Sequence, residues 1–385
     1  MALDAATLDA LIDSVAKFVR ERLVPLEEQV SHEDRIPEDV VQEMRELGLF
    51  GLTIPEAFGG IGLNSEEECR VVLELGRTSP AFRSVFGTNN GIGSQGLVID
   101  GTPEQKAKYL PRMATGEVIG SFALTEPDAG SDAGSVTTNA VADGDEFVIN
   151  GTKRYITNAP QAQLFTVFAR TDQSLEGSRG VSAFLVDADT PGITLGKPNK
   201  KLGQQGAHVC DVIFDDCRVP KDALLGGPDM LNKGFLTAMK TLDRGRLHIA
   251  ALAVGCAERL IQEALDYGME RKQFGEPIAN FQLVQAMLAD SRTEAYAGRC
   301  MVLDAAARRD RGEPVTELAS CAKLFASEMV GRVADRALQI HGGAGYMEEY
   351  PVARFYRDVR LFRIYEGTSQ IQQTVIAKAM IRAAG

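Results

Sequence analysis

The sequence predicts an α+β protein in three parts: an N-terminal α-helical domain, a middle antiparallel β domain and a C-terminal bundle of long helices. Helix-start signals fill the first part. Short β-branched runs between turn residues fill the second. In the third, apolar residues keep a helical period over segments long enough for a bundle. We place the domains at residues 1–116, 117–225 and 226–385.

The N-terminal helices are predicted from their start and stop signals. Proline and glutamate open a segment, 37–48, that ends in glycine. Ser65 with Glu68, and Thr102 with Gln105, each match a capping box, in which side chains at the two positions bond each other's backbone N–H groups. The first part should therefore be helical throughout.

The middle part is predicted to be antiparallel because no long helical pattern separates its strands. Its strand-like runs are 121–124, 146–149, 153–156, 165–169, 181–186 and 209–214. Asn150-Gly151 lies between two runs and predicts a hairpin, and Asp143-Gly144 predicts another turn. After Pro220, helical periodicity returns over residues 234–268, 282–311 and 315–341.

Composition excludes several classes of protein. A net charge of −12 and a pI near 5.0 argue against a nucleic-acid surface. None of the four histidines lies at ligand spacing from another, and the six cysteines form no Cys-x-x-Cys pair, so we expect no metal site and no disulfide framework. The N-terminus lacks a signal-peptide pattern and no apolar run reaches membrane-spanning length, which makes the cytoplasm the expected compartment.

The strongest candidate for chemistry is Glu366, in the stretch 354–370. Four arginines recur there at every third residue, and an apolar pair then delivers this carboxylate into a Gly-Thr turn. Ser369 and Gln372 fit a capping box that opens a final helix. Glu366 should thus lie on a loop between rigid elements, the placement that a catalytic carboxylate needs. The alternative is a solvated glutamate ahead of a helix.

Five motifs become specific in combination. They are Thr-Glu-Pro-Asp-Ala-Gly-Ser-Asp (125–132), Lys-Arg-Tyr-Ile-Thr-Asn (153–158), Arg-Lys-Gln-Phe-Gly (271–275), Gln-Ile-His-Gly-Gly-Ala-Gly (339–345) and Tyr-Glu-Gly-Thr (365–368). In this order the whole chain resembles the acyl-CoA dehydrogenases. The resemblance implies the fold of that family, with a C-terminal four-helix domain, bound FAD, a homotetramer, and an electron-transferring flavoprotein as electron acceptor.

The resemblance also implies a reaction and the residues that perform it. Glu366 would remove the α-proton of an acyl-CoA thioester while the β-hydrogen leaves as hydride to flavin N5, giving a trans-2-enoyl-CoA. The backbone N–H of Glu366 and a ribityl hydroxyl of FAD would bind the thioester oxygen, as an oxyanion hole does. Burial beside the acyl chain should raise the pKa of the base.

The implied binding residues fall into two groups. FAD would be held by Thr125, Ser131, Tyr155, Thr157, Arg271, Gln273, Phe274, Gln339, Gly343, Thr368 and Gln370. The residues of the motifs at 271–275 and 339–345 would bind the FAD of a neighbouring subunit. Substrate would be approached by Arg83, Ser131, Asp243, Arg246, Tyr365 and Gly367. Gly245 occupies the position where some branches of the family carry the base instead, so Glu366 has no competitor there.

Substrate choice depends on Arg83. Phe82-Arg83-Ser84 resembles the Tyr-Arg-Ser of glutaryl-CoA dehydrogenases, whose arginine faces the distal carboxylate of the substrate. An arginine at the end of an acyl pocket needs an anion, so a glutaryl-, adipyl- or pimeloyl-CoA is one hypothesis. Gly76 stands where the glutaryl enzymes have a glutamate, which favours dehydrogenation without decarboxylation. In the alternative, Arg83 points to solvent or to Glu74.

Other activities remain open on the sequence alone. A plain short- or medium-chain fatty acyl-CoA dehydrogenase follows if Arg83 is not at the substrate. An acyl-CoA oxidase is usually longer, and the desulfinase relatives lack the glutamate of the Tyr-Glu-Gly-Thr turn. A non-catalytic CoA-binding protein would be colourless and indifferent to a change of Glu366.

Overall fold

The N-terminal part packs as a helical layer in the computed structural model, which describes residues 3–384. Its helices are α1 (Ala5–Phe18), α2 (Glu27–Glu33), α3 (Glu38–Glu46), α4 (Ser65–Leu75), α5 (Pro80–Asn90), α6 (Gln95–Asp100) and α7 (Pro103–Ala114). The capping box of α7, Thr102 with Gln105, is present as predicted.

The capping box of α4 lies one residue earlier than predicted. Asn64 and Glu67 form it, and Ser65 is the first helical residue. Glu68 is unavailable as a cap because its buried carboxylate accepts hydrogen bonds from Arg244 and His248. Glu68 lines the cavity described below.

The middle part forms one curled sheet of seven strands. These are β1 (Gly120–Ala123), β2 (Asn139–Asp143), β3 (Glu146–Thr157), β4 (Leu164–Arg170), β5 (Val181–Asp187), β6 (Ile193–Leu195) and β7 (Val209–Pro220). Most neighbours are antiparallel, but β1 pairs with β4 in parallel, and β2 makes one parallel bridge to β4. The sheet is therefore mixed, because the chain returns from β1 to β4 through the β2–β3 hairpin.

The prediction of a hairpin at Asn150-Gly151 is wrong. β3 runs straight through this dipeptide, and the register with β7 shifts between Ile149 and Gly151. A Cβ on Gly151 would lie 2.4 Å from the Thr138 hydroxyl, so glycine here permits a bulge and a close approach instead of a chain reversal. The turn predicted at Asp143-Gly144 is confirmed, since it joins β2 to β3.

The C-terminal part is a bundle of long helices, as predicted. It comprises α8 (Gly234–Glu270), a short hairpin of β8 (Lys272–Gln273) and β9 (Glu276–Pro277), α9 (Gln282–Asp310), α10 (Thr316–His341), α11 (Pro351–Asp358) and α12 (Ser369–Ala384). A single apolar core joins this bundle to α4 and α5. No helix within residues 3–384 has the length and hydropathy needed to span a membrane.

Candidate active site

A cavity lies where the three parts of the chain meet. Arg83 reaches it from α5, Thr157 from the end of β3, and Gln204 from the loop before β7. His248 and Glu366 line it from α8 and from the turn before α12. Concave junctions between domains are favoured places for small-molecule sites.

The turn that carries Glu366 has an unusual backbone. Glu366 has a φ of 55°, in the left-handed region, and Gly367 follows with a φ of 86°. A non-glycine residue there costs free energy and persists only where its surroundings fix it. Lys323 and Gln372 do so: Lys323 Nζ donates to the Gly367 carbonyl at 2.6 Å, and Gln372 Nε2 donates to the carbonyls of Glu366 and Gly367.

The first turn of α12 is capped differently from the prediction. The Thr368 hydroxyl, rather than that of Ser369, accepts the backbone N–H of Ile371. Ser369 instead donates to the Glu328 carboxylate at 2.6 Å. Gln372 is free of a capping role and supports the turn described above.

The Glu366 carboxyl group is buried and poorly solvated. Burial raises its pKa, and the charges of Arg83, Lys323 and Arg246 oppose that rise. Its Oε2 is buried and has no hydrogen-bond partner in the part of the chain that the structure describes. The backbone N–H of Glu366 donates to no acceptor within residues 3–384, which leaves it available to a ligand.

Gly245 makes room for this carboxylate. A Cβ built on Gly245 would lie 2.6 Å from Oε2 of Glu366 and 3.1 Å from its Cδ. Gly245 is therefore the point of α8 that faces the carboxyl group. A side chain at position 245, where the resemblance places the base of some other branches, would therefore reach the same point as the Glu366 carboxylate.

Arg83 faces the same cavity through a buried chain of polar groups. Its Nε donates to Nε2 of His248 at 2.6 Å, and Nδ1 of His248 lies 2.7 Å from Oε1 of Glu68. Arg244 completes the chain by donating Nε to Oε2 of Glu68 at 2.6 Å. The alternative contact with Glu74 is wrong, since the Glu74 carboxylate pairs with Arg77 at 3.0 Å.

The two β-domain motifs predicted to hold a flavin are joined by a buried ion pair. Lys153 Nζ donates to Glu126 Oε1 at 2.8 Å, and Glu126 also accepts the backbone N–H groups of Thr137 and Thr138. The Lys153 charge and these hydrogen bonds outweigh burial and lower the pKa of Glu126 to about 2. The loop 125–132 is thereby fixed beside β3.

These motifs fit an aromatic cofactor. Tyr155 sits at a bulge of β3 with a φ of 57° and is 61% exposed, while Thr157, two residues on, lines the cavity. Ser131 is exposed, and a Cβ on Gly130 would meet no atom within 4 Å. An exposed ring, hydroxyl groups and open backbone are what a flavin edge requires.

The remaining predicted residues do not line the cavity of this single chain. Arg271, Gln273 and Phe274 lie on or beside the β8–β9 hairpin, where Phe274 is 95% exposed. Gln339 and Gly343 are exposed at the end of α10. This exposure agrees with the prediction that both motifs serve a neighbouring subunit, which stays a prediction.

Asp243 and Arg246 lie one turn apart on α8, and the Arg246 charge acts on Glu366. Arg246 Nη1 donates to Asp243 Oδ1 at 2.6 Å, and Asp243 Oδ2 accepts the Thr316 hydroxyl at 2.7 Å. Arg246 is buried, and its Nε has no partner within the described residues. Tyr365 lines the cavity next to Glu366, and Thr368 and Gln370 follow at the start of α12.

Sequence reasoning missed Lys323, His248 and Glu68. Each is a charged or polar side chain on a helix face that is otherwise apolar, and each is at most 2% exposed. That interruption was the available signal, because ionisable residues are rarely buried without a specific partner. Their partners come from distant parts of the chain and could not be read from spacing.

Family models match nearly the whole chain. Those of the acyl-CoA dehydrogenase N-terminal, middle and C-terminal domains match residues 6–117, 121–217 and 232–381. A probable acyl-CoA dehydrogenase, YngJ of Bacillus subtilis, is 43% identical over 370 residues, covering 96% of this chain and 97% of the relative.

Solved structures agree with this assignment. Butyryl-CoA dehydrogenase from Megasphaera elsdenii superposes with a TM-score of 0.94 at 35% identity, over 99% of both chains. A glutaryl-CoA dehydrogenase in complex with glutaryl-CoA gives a TM-score of 0.91 at 35% identity, over 99% of this chain and 96% of the other. The chain therefore belongs to the acyl-CoA dehydrogenase family, flavoprotein oxidoreductases that act on CH–CH bonds.

Proposed function

We propose that the protein dehydrogenates a dicarboxylyl-CoA, with Glu366 as the base and Arg83 as the group that binds the distal carboxylate. The observation that carries the proposal is that both side chains line one cavity, and that Arg83 forms no ion pair with a carboxylate within residues 3–384. The family's reaction removes hydrogen from Cα and Cβ of an acyl thioester, so the acyl chain must lie beside Glu366.

Glu366 would take the α-proton. Its Oε2 has no hydrogen-bond donor to compete for the lone pair, and burial raises its pKa, which strengthens it as a base. Its free backbone N–H would donate to the thioester oxygen as negative charge develops there. FAD, when bound, would supply the acceptor for the β-hydrogen as hydride.

The cofactor would be bound by the chain's own β domain and by a second copy. Thr125, Ser131, Tyr155 and Thr157 would contact the flavin and its diphosphate, with Thr368 and Gln370 beside them. Arg271, Gln273, Phe274, Gln339 and Gly343 would contact the adenosine half of FAD in a neighbouring subunit. This arrangement requires an oligomer, for which we propose the homotetramer, with an electron-transferring flavoprotein as acceptor.

Arg83 would bind the distal carboxylate of the substrate. Its guanidinium lines the cavity, and its hydrogen-bond partner within residues 3–384 is His248, which is neutral because burial and the Arg83 charge lower the pKa of His248 to about 4. A half-buried guanidinium whose terminal N–H groups face a cavity favours an anionic ligand, which it can bind through two parallel hydrogen bonds. A methyl-ended acyl chain would leave those groups without partners, at a cost in free energy.

The competing proposal is a plain fatty acyl-CoA dehydrogenase. The similar structure named for butyryl-CoA supports it as directly as the one named for glutaryl-CoA supports the diacid. Adipyl-CoA and hexanoyl-CoA separate the two, because they have equal carbon backbones and differ in the terminal carboxylate.

The test is an anaerobic titration of the purified holoenzyme with each thioester, followed by flavin absorbance. Adipyl-CoA should bleach the flavin at far lower concentration than hexanoyl-CoA. Arg83→Met should weaken the response to adipyl-CoA by about 30-fold or more. The distal carboxylate of the substrate would then lie in the cavity without a partner, which costs ~2 kcal/mol or more. Wild-type protein bleached better by hexanoyl-CoA would refute the diacid proposal and leave the dehydrogenase assignment intact.

A further inference from the structure

We propose that His248 is a positioning residue for substrate selection: it accepts a hydrogen bond from Arg83 and so fixes the direction of the guanidinium in the acyl cavity. The inference rests on the proposed function of Arg83 and adds to it the residue that sets the geometry. His248 would touch neither the thioester nor the flavin in this role.

The tautomer of His248 follows from its two partners. An ionised carboxylate only accepts hydrogen bonds and a guanidinium only donates them. His248 must therefore donate through Nδ1–H to Glu68 and accept at Nε2 from Arg83. A protonated imidazole would present a donor to Arg83 and break the chain, and burial keeps the pKa of His248 near 4, so the ring is neutral at pH 7.

Glu68 is fixed as an anion, which makes the tautomer permanent near neutral pH. Its carboxylate accepts from Arg244 at 2.6 Å and from His248 at 2.7 Å. The charge of Arg244 and these hydrogen bonds outweigh burial and lower the pKa of Glu68 to about 2. Arg244 is in turn held by donating Nη2 to the Leu63 carbonyl at 2.8 Å.

Gly87 supplies the second restraint on Arg83. A Cβ on Gly87 would lie 2.6 Å from Nε and 2.7 Å from Cζ of Arg83. The guanidinium therefore lies close against the next turn of α5, where glycine leaves room for it. His248 holds the inner edge of this plane through Nε, and Gly87 allows its orientation.

What remains free is the outer edge of the guanidinium. Neither Nη1 nor Nη2 of Arg83 donates to a protein atom within residues 3–384, and neither is among the buried nitrogen atoms that lack a partner there. Two fixed, parallel donors match the two oxygens of a carboxylate. Pre-orienting them reduces the entropy lost when the substrate binds.

The experiment compares kcat/KM for adipyl-CoA with that for hexanoyl-CoA in the wild type and three variants. His248→Phe keeps an aromatic ring and loses both nitrogens, whereas the amide of His248→Gln still offers a donor group and an acceptor. Arg83→Met removes the guanidinium. Any general loss from disturbed packing affects both thioesters and cancels in the ratio.

We expect His248→Phe to lower the adipyl-to-hexanoyl ratio about tenfold, mainly through KM for adipyl-CoA, since one well-formed hydrogen bond to a charged group is lost. His248→Gln should restore most of the ratio. Calorimetry in a Glu366→Gln background, in which the base is absent, should show the same order for the dissociation constants of adipyl-CoA.

Each outcome has a distinct meaning. A wild-type ratio near one refutes the proposed function and this inference together. A high wild-type ratio that falls in Arg83→Met but stays high in His248→Phe refutes this inference alone. The same conclusion follows if the ratio falls as far in His248→Gln as in His248→Phe. If His248→Phe does not fold, ¹⁵N-histidine NMR of the wild type decides, with the missing signal of His248→Gln as assignment: a protonated Nε2 would refute the tautomer.

Discussion

Substituting Gly245 by alanine should separate stability from catalysis. The new Cβ would lie 2.6 Å from Oε2 of Glu366, whereas ordinary contacts begin at about 3.4 Å. The neighbour that must yield is the end of a flexible side chain, so the fold should tolerate the change. The carboxylate, however, would have to move by about 0.8 Å from its present place, where we propose that it meets the α-proton.

The two effects have opposite signs and calculable sizes. A displacement near 1 Å of a reacting group can cost about 100-fold in rate, so we expect kcat to fall by about two orders of magnitude. Replacing a glycine inside a helix by alanine favours folding by ~1 kcal/mol. The melting temperature of Gly245→Ala should accordingly stay level or rise while turnover collapses.

The assay is anaerobic stopped-flow reduction of the bound flavin, run beside differential scanning calorimetry. Gly268→Ala is the matched control, because it lies on the same helix α8 and its Cβ would meet Ala279 Cβ at an ordinary 3.5 Å. The control should gain stability and keep its rate. A Gly245→Ala enzyme that reduces its flavin as fast as the control would refute the placement of Glu366 against α8.

Three further predictions concern buried ionisable groups. Lys323→Met removes a positive charge near Glu366, so the acid limb of the pH profile of kcat/KM should move to higher pH; an unmoved limb would show that Lys323 does not affect the base. Burial raises the pKa of Asp358 to about 6, so wild-type stability should fall as pH rises from about 4 through about 6, whereas that fall should be absent from Asp358→Asn. Denaturant titrations should show the wild type losing up to about 3 kcal/mol relative to this variant across that window, and a constant difference would contradict the assignment. Glu126→Gln leaves the fully buried Lys153 without its anion and should lower the free energy of unfolding by ~3–5 kcal/mol, whereas a loss below 1 kcal/mol would show that the pair contributes little.

Helix positions were predictable because their signals are local. The capping box of Thr102 and Gln105 and the long apolar periods of α8, α9 and α10 depend on residues three or four apart. Predictions failed where a local signal was overridden at a distance. Asn150-Gly151 is a bulge because Thr138 approaches it, and the α4 cap shifts because Glu68 turns toward α8.

The sequence by itself determined the fold family and singled out Glu366, because motif order, turn chemistry and periodicity are properties of neighbouring residues. Only the tertiary structure decided what surrounds that carboxylate. Gly245, Lys323 and the chain from Arg83 through His248 to Glu68 come together from four helices, α4, α5, α8 and α10. Burial and the distances to charged neighbours set the pKa values of Lys323, His248 and Glu68, and both quantities exist only after the chain has packed.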